Sequence, residues 1–153
     1  MKIEIPEQKK LVFELTMPIR WGDMDAMGHV NNANYFRYLE AGRLEWMRSA
    51  GCQPDPQGEG PVIVNAFCNF YKQLEYPGDV LLKMYTSDPG RTTFETWATM
   101  EQAANPGVIY AAGGATTGSA LQHVSLAHLP PLTLATLRFS LAFLPMALFI
   151  KRP

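Results

Sequence analysis

Apolar and polar positions alternate strictly along the first part of the chain. From Leu11 to Trp21 every second residue is apolar, and most of the residues between them are polar or charged. A period of two is typical of a strand with one buried face. The alternation ends at Gly22, and residues 22–30 are polar and bounded by glycine, which predicts a loop.

The periodicity then changes to one typical of a helix. Apolar residues recur at spacings of three and four, namely Tyr35, Phe36, Leu39, Trp46, Met47 and Ala50. Asn31 or Asn32 suits the N-cap, because a short amide accepts hydrogen bonds from first-turn N–H groups. Gly51 suits the C-terminal stop. Gly42 lies mid-helix, where glycine costs about 1 kcal/mol relative to alanine, so we expect a close approach to a sheet there.

Four further strands are predicted after the helix. Alternation returns in residues 62–71, 80–85, 92–101 and 108–117, with short turn sequences between these segments. Short connections favour antiparallel neighbours. The last segment is rich in Ala and Gly, so we expect it to lie close under something bulky, with the helix as the obvious candidate. The element order predicts an α+β domain in which a curved five-stranded sheet wraps one long helix.

Composition separates two parts of the 153-residue chain. The length predicts one domain, and the net charge of −1 removes the electrostatic case for nucleic-acid binding. All 14 acidic residues lie at or before Glu101, whereas residues 118–153 hold 9 of the 16 leucines and only three formal charges. We therefore interpret residues 1–117 as the domain and residues 118–153 as an atypical apolar tail.

A shift of the reading frame near Gly118, or a C-terminus that is otherwise abnormal, is our hypothesis for this tail, since acids and alternation are lost together there while leucine rises. The alternative is one or two short apolar helices docked on the sheet or on a partner subunit. Sequencing the coding DNA tests the hypothesis. Related genes that translate into the same tail in one frame would contradict it.

Three further features bear on the compartment. The N-terminus lacks the apolar core of a signal peptide, and two cysteines are too few for a disulfide framework. The longest apolar run, residues 139–150, is shorter than the roughly 20 residues of a bilayer-spanning helix. We expect a cytoplasmic protein without a membrane role.

The candidate chemistry lies between the first strand and the helix. Ten residues there include Asp23, Asp25, His29, Asn31 and Asn32. First-turn N–H groups bind anions or a developing oxyanion, and a flanking carboxylate suits a base or nucleophile. From the residues alone, carboxylates that only cap turns remain an equal alternative. A calcium loop would need an oxygen ligand where this chain has Met27 and a bidentate Glu where it has Asn34, and a zinc site lacks nearby partners for the histidine.

Residues 20–35 (RWGDMDAMGHVNNANY), followed by Glu40-Ala41-Gly42-Arg43, resemble the acyl-CoA thioesterases of the 4-hydroxybenzoyl-CoA thioesterase type. Residues 70–79 and 89–92 are also similar, and the resemblance covers about residues 10–117. It implies the hot-dog fold, with Asp25 as the catalytic nucleophile or general base. It also implies that the Asn32 N–H faces the thioester carbonyl. The expected substrate-binding residues are His29, Asn31, Tyr35, Phe67 and Thr92.

The same resemblance implies hydrolysis of an acyl-CoA, or of an acyl-carrier thioester, by a homodimer or homotetramer with substrate at the subunit interface. It implies no cofactor and no metal. Lys72, Lys83 and Arg91 are candidates to meet the phosphates of CoA. The alternative function is a non-catalytic acyl-thioester-binding domain of the same fold. The tail departs from the family, whose last strand continues beyond Thr117 with alternating bulky residues.

Overall fold

The expected sheet and helix are both present in a computed structural model, which describes residues 4–52, 61–87 and 93–119. The elements, in chain order, are β1 (Lys10–Ile19), a short 3-10 helix (Trp21–Asp23), α1 (Asn32–Ser49), β2 (Pro61–Phe70), β3 (Gly78–Thr86), β4 (Thr93–Gln102) and β5 (Ile109–Ser119). The strands form one antiparallel sheet in the order β1-β3-β4-β5-β2. The predicted α+β architecture, the hot-dog fold, is confirmed.

Helix α1 begins and ends where its capping residues predict. The Asn31 side chain accepts a hydrogen bond from the Ala33 N–H at 2.9 Å, so Asn31 is the N-cap. Beyond the last turn, Gly51 has a φ of +83°, a left-handed conformation that favours glycine. The buried residues of the helix are Tyr35, Tyr38, Gly42, Trp46 and Met47. Their spacing places one stripe of the helix against the sheet.

Glycines allow the helix to approach the sheet closely at two points. A Cβ on Gly42 would collide with the Leu82 side chain of β3. A Cβ on Gly113 of β5 would lie 2.8 Å from the Leu39 side chain and 2.6 Å from a backbone oxygen of β2. The expected compensation for glycine in mid-helix is therefore confirmed, because Gly42 contacts the sheet directly.

The Ala/Gly-rich strand β5 lies under the helix on one face only. Gly114 points away from the helix, and a Cβ there would meet the rings of Trp97 and Phe67 at 2.8 and 3.0 Å. Successive side chains of a strand alternate between its faces. The small residues of β5 therefore make room for the helix on one face and for aromatic rings on the other.

The structure differs from the sequence prediction at the end of β1. The strand ends at Ile19, and Trp21, predicted to be in the strand, begins the 3-10 helix with 79% of its surface exposed. Two hydrogen bonds between Asp23 and Arg20 form the turn. The Asp23 N–H donates to the Arg20 carbonyl, and the Arg20 N–H donates to the Asp23 carboxylate.

Several predictions fall on residues outside the described ranges. They concern Thr92, Arg91 and the tail from residue 120 onwards. Strand β5 itself continues to Ser119, two residues beyond the predicted domain end, and Gly118 pairs with Val62 of β2. In the ranges that the structure does describe, no helix has the length and apolar character to cross a bilayer.

Candidate active site

Hydrogen bonds between Asp25 and other residues of the same loop fix the loop between the 3-10 helix and α1. The Asp25 N–H donates to the His29 carbonyl at 2.7 Å, and the Gly28 N–H donates to the Asp25 carbonyl at 3.1 Å. Gly28 has a φ of +79°, which non-glycine residues rarely adopt. Asp25 Oδ1 accepts from the Met27 and His29 N–H groups at 2.8 and 3.2 Å. One carboxylate oxygen therefore orients the side chain. The other, Oδ2, accepts no hydrogen bond from the described residues.

Asp23 has a different role, because its groups bind the loop to the helix. Its Oδ2 accepts from the Tyr38 hydroxyl at 2.7 Å and from the Arg20 N–H at 2.9 Å. Its carbonyl accepts from the Asn31 N–H and from the Asn34 side-chain amide. Burial and the hydrogen bond to Asp23 raise the pKa of Tyr38, which keeps this hydroxyl protonated as a donor. Asp23 therefore fixes the loop on the start of the helix.

The N-terminus of α1 leaves the backbone N–H of Asn32 available. Asn31 satisfies two first-turn groups, since its side chain accepts from the Ala33 N–H and its carbonyl accepts from the Asn34 N–H. The Asn32 N–H, by contrast, has no hydrogen-bond acceptor in the part of the chain that is described. It therefore adds a directed donor to the positive end of the helix dipole.

Asp25 and Asn32 line the same cavity, which has a volume of about 600 Å³. Its lining residues are Asp25, His29, Val30, Asn32, Tyr35, Phe70, Tyr71, Lys72 and Gln73. The segment after β2 forms one wall. Leu74, which is fully buried, holds that wall in place, because its carbonyl accepts from the Val30 N–H at 2.8 Å and its N–H donates to the Tyr35 hydroxyl at 3.1 Å.

Several ionisable side chains lie on or near this cavity. The His29 Nε2 lies 3.7 Å from an oxygen of Glu75, which links the loop to the wall. The Lys72 ammonium lies 5.8 Å from the ring centre of Tyr110. Burial raises the pKa of Tyr35, and the Leu74 N–H that its oxygen accepts opposes this shift. The Tyr35 hydroxyl therefore stays protonated and has its own hydrogen to donate.

The structure brings together four of the seven expected site residues, namely Asp25, Asn32, His29 and Tyr35. The Asn31 side chain caps the helix instead of lining the cavity. The Phe67 ring packs edge-on against Trp97 on the opposite face of the sheet, with ring centres 5.8 Å apart.

The three candidate phosphate-binding cations are separated. Lys72 lines the cavity, whereas Lys83 is paired with Glu101 at 2.7 Å. The third, Arg91, lies outside the described ranges.

The wall formed by Tyr71 and Gln73 was not identified from the sequence. The alternating pattern of β2 runs through Tyr71 and then stops, and nothing local indicates that the next residues turn back over the helix N-terminus. Among the described residues, no group of three or more His, Cys, Asp or Glu side chains is placed to hold a metal ion.

Comparison with known families gives the same class of protein as the fold and the loop. A sequence profile of the thioesterase-like superfamily matches residues 19–137. The chain therefore belongs to the thioesterase-like superfamily. A curated relative from Aquifex aeolicus (strain VF5), named "Putative esterase", is 33% identical over 79 residues, which are 50% of this chain and 62% of that protein. The chain thus matches less than two thirds of the relative's length.

Solved structures show the same fold. The Pseudomonas aeruginosa "PA2801 protein, a putative Thioesterase" has a TM-score of 0.71 and 27% identity, covering 86% of this chain and 99% of that one. "A putative acyl-CoA thioesterase" of Xanthomonas campestris has a TM-score of 0.66 and 29% identity, covering 72% of this chain and 93% of that one. The BH1999 gentisyl-coenzyme A thioesterase shares the fold, with a TM-score of 0.65 and 20% identity. The match covers 71% of this chain and 88% of that one.

Removal of the Tyr38 hydroxyl tests the bracing of the loop by Asp23. We expect Tyr38→Phe to lower the free energy of unfolding by about 2 kcal/mol, because a part-buried carboxylate loses a donor. Urea denaturation measures the change. Tyr76→Phe, at an exposed tyrosine, is the matched control and should change stability by less than about 0.5 kcal/mol. Equal stability of the two variants would contradict the bracing role.

Proposed function

We propose that this protein hydrolyses acyl-CoA thioesters at the Asp25 cavity. The observation that carries the proposal is the pairing of two complementary groups on one cavity. The Asn32 N–H is an unsatisfied donor at a helix N-terminus, and the Asp25 carboxylate is oriented through one oxygen only. A donor and a base on opposite sides of a carbonyl are what acyl transfer requires.

The carbonyl oxygen of the thioester accepts a hydrogen bond from the Asn32 N–H. This bond draws electron density from the carbonyl carbon and strengthens as the oxygen becomes an oxyanion. One such preorganised donor typically contributes about 3–4 kcal/mol of transition-state stabilisation. The helix dipole favours the same negative charge.

Asp25 then acts as general base on a water molecule. Its Oδ2 takes a proton from the water, the water oxygen bonds to the carbonyl carbon, and a tetrahedral oxyanion forms. As the oxyanion collapses, the carbon–sulfur bond breaks and CoA leaves as thiolate. A thiol pKa of about 8.5 makes the thiolate a good leaving group, and the proton held by Asp25 then returns to the sulfur or to solvent.

Direct attack by Asp25 on the carbonyl carbon is the other route open to the same groups. It forms a mixed anhydride and releases the thiolate, and water then cleaves the anhydride. Hydrolysis in ¹⁸O-labelled water at single turnover separates the two routes, because only this route leaves the label in Asp25 when water attacks the Asp25 carbonyl of the anhydride.

Lys72 is our candidate for a phosphate contact, because it lines the cavity and pairs with no carboxylate in the described ranges. His29 joins the loop to Glu75 and so supports Asp25 instead of replacing it as base. A cytoplasmic location fits an enzyme that acts on CoA esters.

Replacement of Asp25 tests its chemical role. We expect Asp25→Asn to lower kcat/KM at least ~100-fold, the effect of losing a general base, measured as thiol release from acetyl-, benzoyl- and dodecanoyl-CoA. The control Asp79→Asn makes the same chemical change at an exposed position on β3 and should leave kcat/KM within about twofold. Equal rates for wild type and Asp25→Asn would refute the assignment. Binding of these esters without turnover by the wild type would favour the non-catalytic alternative.

The Asn32 donor is separable from the rest of the helix. Proline is well tolerated at the first helical position and lacks the N–H, and Asn31 already has the extended ψ of 139° that a residue before proline adopts. We expect Asn32→Pro to lower kcat by ~100-fold or more with little change in melting temperature. Asn32→Ala keeps the N–H and should retain most of the activity. Similar losses in both variants would point to the side chain and overturn the role of the backbone donor.

We also propose a homodimer formed through β2. This strand is one edge of the sheet, and its apolar residues Val62, Ile63 and Val64 are exposed, Val64 by 52%. An exposed apolar edge pairs readily with another strand, and a two-fold axis brings the same edge of a second copy to it. Such a dimer extends the sheet and places both α1 helices side by side, and a homotetramer would pair two such dimers.

The oligomer is measured by light scattering coupled to size exclusion. We expect at least twice the chain mass of 17.1 kDa. Val62→Lys combined with Val64→Lys should yield the monomer, because like charges meet across the axis. Leu11→Lys places the same charge on β1, the opposite edge of the sheet, and should not change the mass. A wild-type monomer would refute the proposal.

A further inference from the structure

A second cavity, of about 230 Å³, lies between α1 and the sheet. On the helix its lining includes Phe36, Leu39, Glu40 and Arg43. None of its lining residues belongs to the Asp25 cavity. Several of its lining residues are exposed, Phe36, Arg37 and Ala66 among them, so the cavity opens to solvent.

The floor of this cavity is a row of small side chains in register. Ala66 on β2 pairs with Ala115 on β5, and Ala115 pairs with Thr96 on β4. The Thr96 hydroxyl donates to the Ala115 carbonyl at 3.3 Å, so its polar atom is satisfied within the sheet. The floor therefore offers an apolar surface without an unpaired donor.

The two cavities are adjacent along α1. Tyr35 lines the first and the next residue, Phe36, lines the second. Strand β2 also contributes to both cavities, since Phe70 lines the first cavity and Ala66 lines the second. Phe36 and Phe70 are 40% and 44% exposed. The two cavities thus follow one another along the seam between α1 and β2.

The distance that the two cavities span together is set by the helix. Asn32 and Arg43 are the first and last α1 residues on the two cavities, and at about 1.5 Å per residue they lie about 16 Å apart. An extended chain advances about 1.2 Å per bond, because three backbone bonds span about 3.3–3.6 Å. Arg37, Glu40 and Arg43 also line the second cavity, and Arg43 is the lining residue farthest along α1 from Asn32. An apolar chain does not pass such charged groups without a desolvation cost.

We propose that the cavity between α1 and the Ala66–Ala115–Thr96 row receives the far part of the substrate's acyl chain, so that the preferred substrate carries a straight aliphatic acyl group of about a dozen carbons. This substrate class rests on the proposed thioesterase function. Ala66 and Ala115 determine the accepted length, because any larger side chain there fills the space that the chain would occupy.

Binding measurements test the cavity separately from catalysis. In the Asp25→Asn background, the dissociation constants of dodecanoyl-CoA and butyryl-CoA are measured by calorimetry below the micelle concentration. Addition of Ala115→Leu should weaken dodecanoyl-CoA binding ~10-fold or more and butyryl-CoA binding less than about twofold, since the lost contacts are those of the distal methylenes. Ala66→Leu, on the edge strand, gives the same test should Ala115→Leu fail to fold.

Ala104→Leu is the matched control, because Ala104 is exposed and lines neither cavity. It should leave both dissociation constants unchanged. Equal affinity for both esters, or chain-length dependence that survives Ala115→Leu and Ala66→Leu, overturns the acyl-chain site even if the wild type hydrolyses both. Loss of chain-length dependence in these variants supports the acyl-chain site, and absence of turnover in the wild type would then overturn the catalytic proposal alone.

Discussion

The close approach of α1 to the sheet is the constraint on which the site depends. Gly42 lets the helix rest on Leu82, and Gly113 lets Leu39 rest on β5. These contacts determine where the N-terminus of the helix lies, and a backbone donor is useful only where a ligand reaches it. A larger residue at Gly113 would push against backbone atoms of β2, which cannot move as a flexible side chain can.

The loop gives its two carboxylates different hydrogen-bond partners. Asp23 uses its carboxylate and carbonyl to bind Tyr38 and the helix start, whereas Asp25 uses one oxygen and keeps the other open. Because Asn31 satisfies two of the first-turn donors, the N–H of Asn32 remains as the donor on the cavity. In the proposed mechanism, the hydrogen bonds that form the helix cap thereby also define where the thioester carbonyl binds.

Small residues line the second cavity, away from Asp25 and Asn32. The sheet keeps Ala66, Ala115 and Thr96 in register opposite a helix face that does not fill the space above them. The same seam ends at β2, whose apolar edge is available to a second copy. Acyl binding and association of subunits would therefore share one side of the molecule, and changes in β2 would affect both.

The sequence by itself determined the elements and the crowding of Asp25 and Asn32, and it reduced the N-cap of α1 to Asn31 or Asn32, because these follow from local periodicity and short side-chain hydrogen bonds. Only the tertiary structure decided which face of β2 meets the helix. A bulge between Ile63 and Asn65 puts Ile63 on the same face as Ala66, and Phe67 points to the outer face. Alternation shows that the two faces of a strand differ, but long-range register and the return of Leu74 over the helix N-terminus decide which residues form the site.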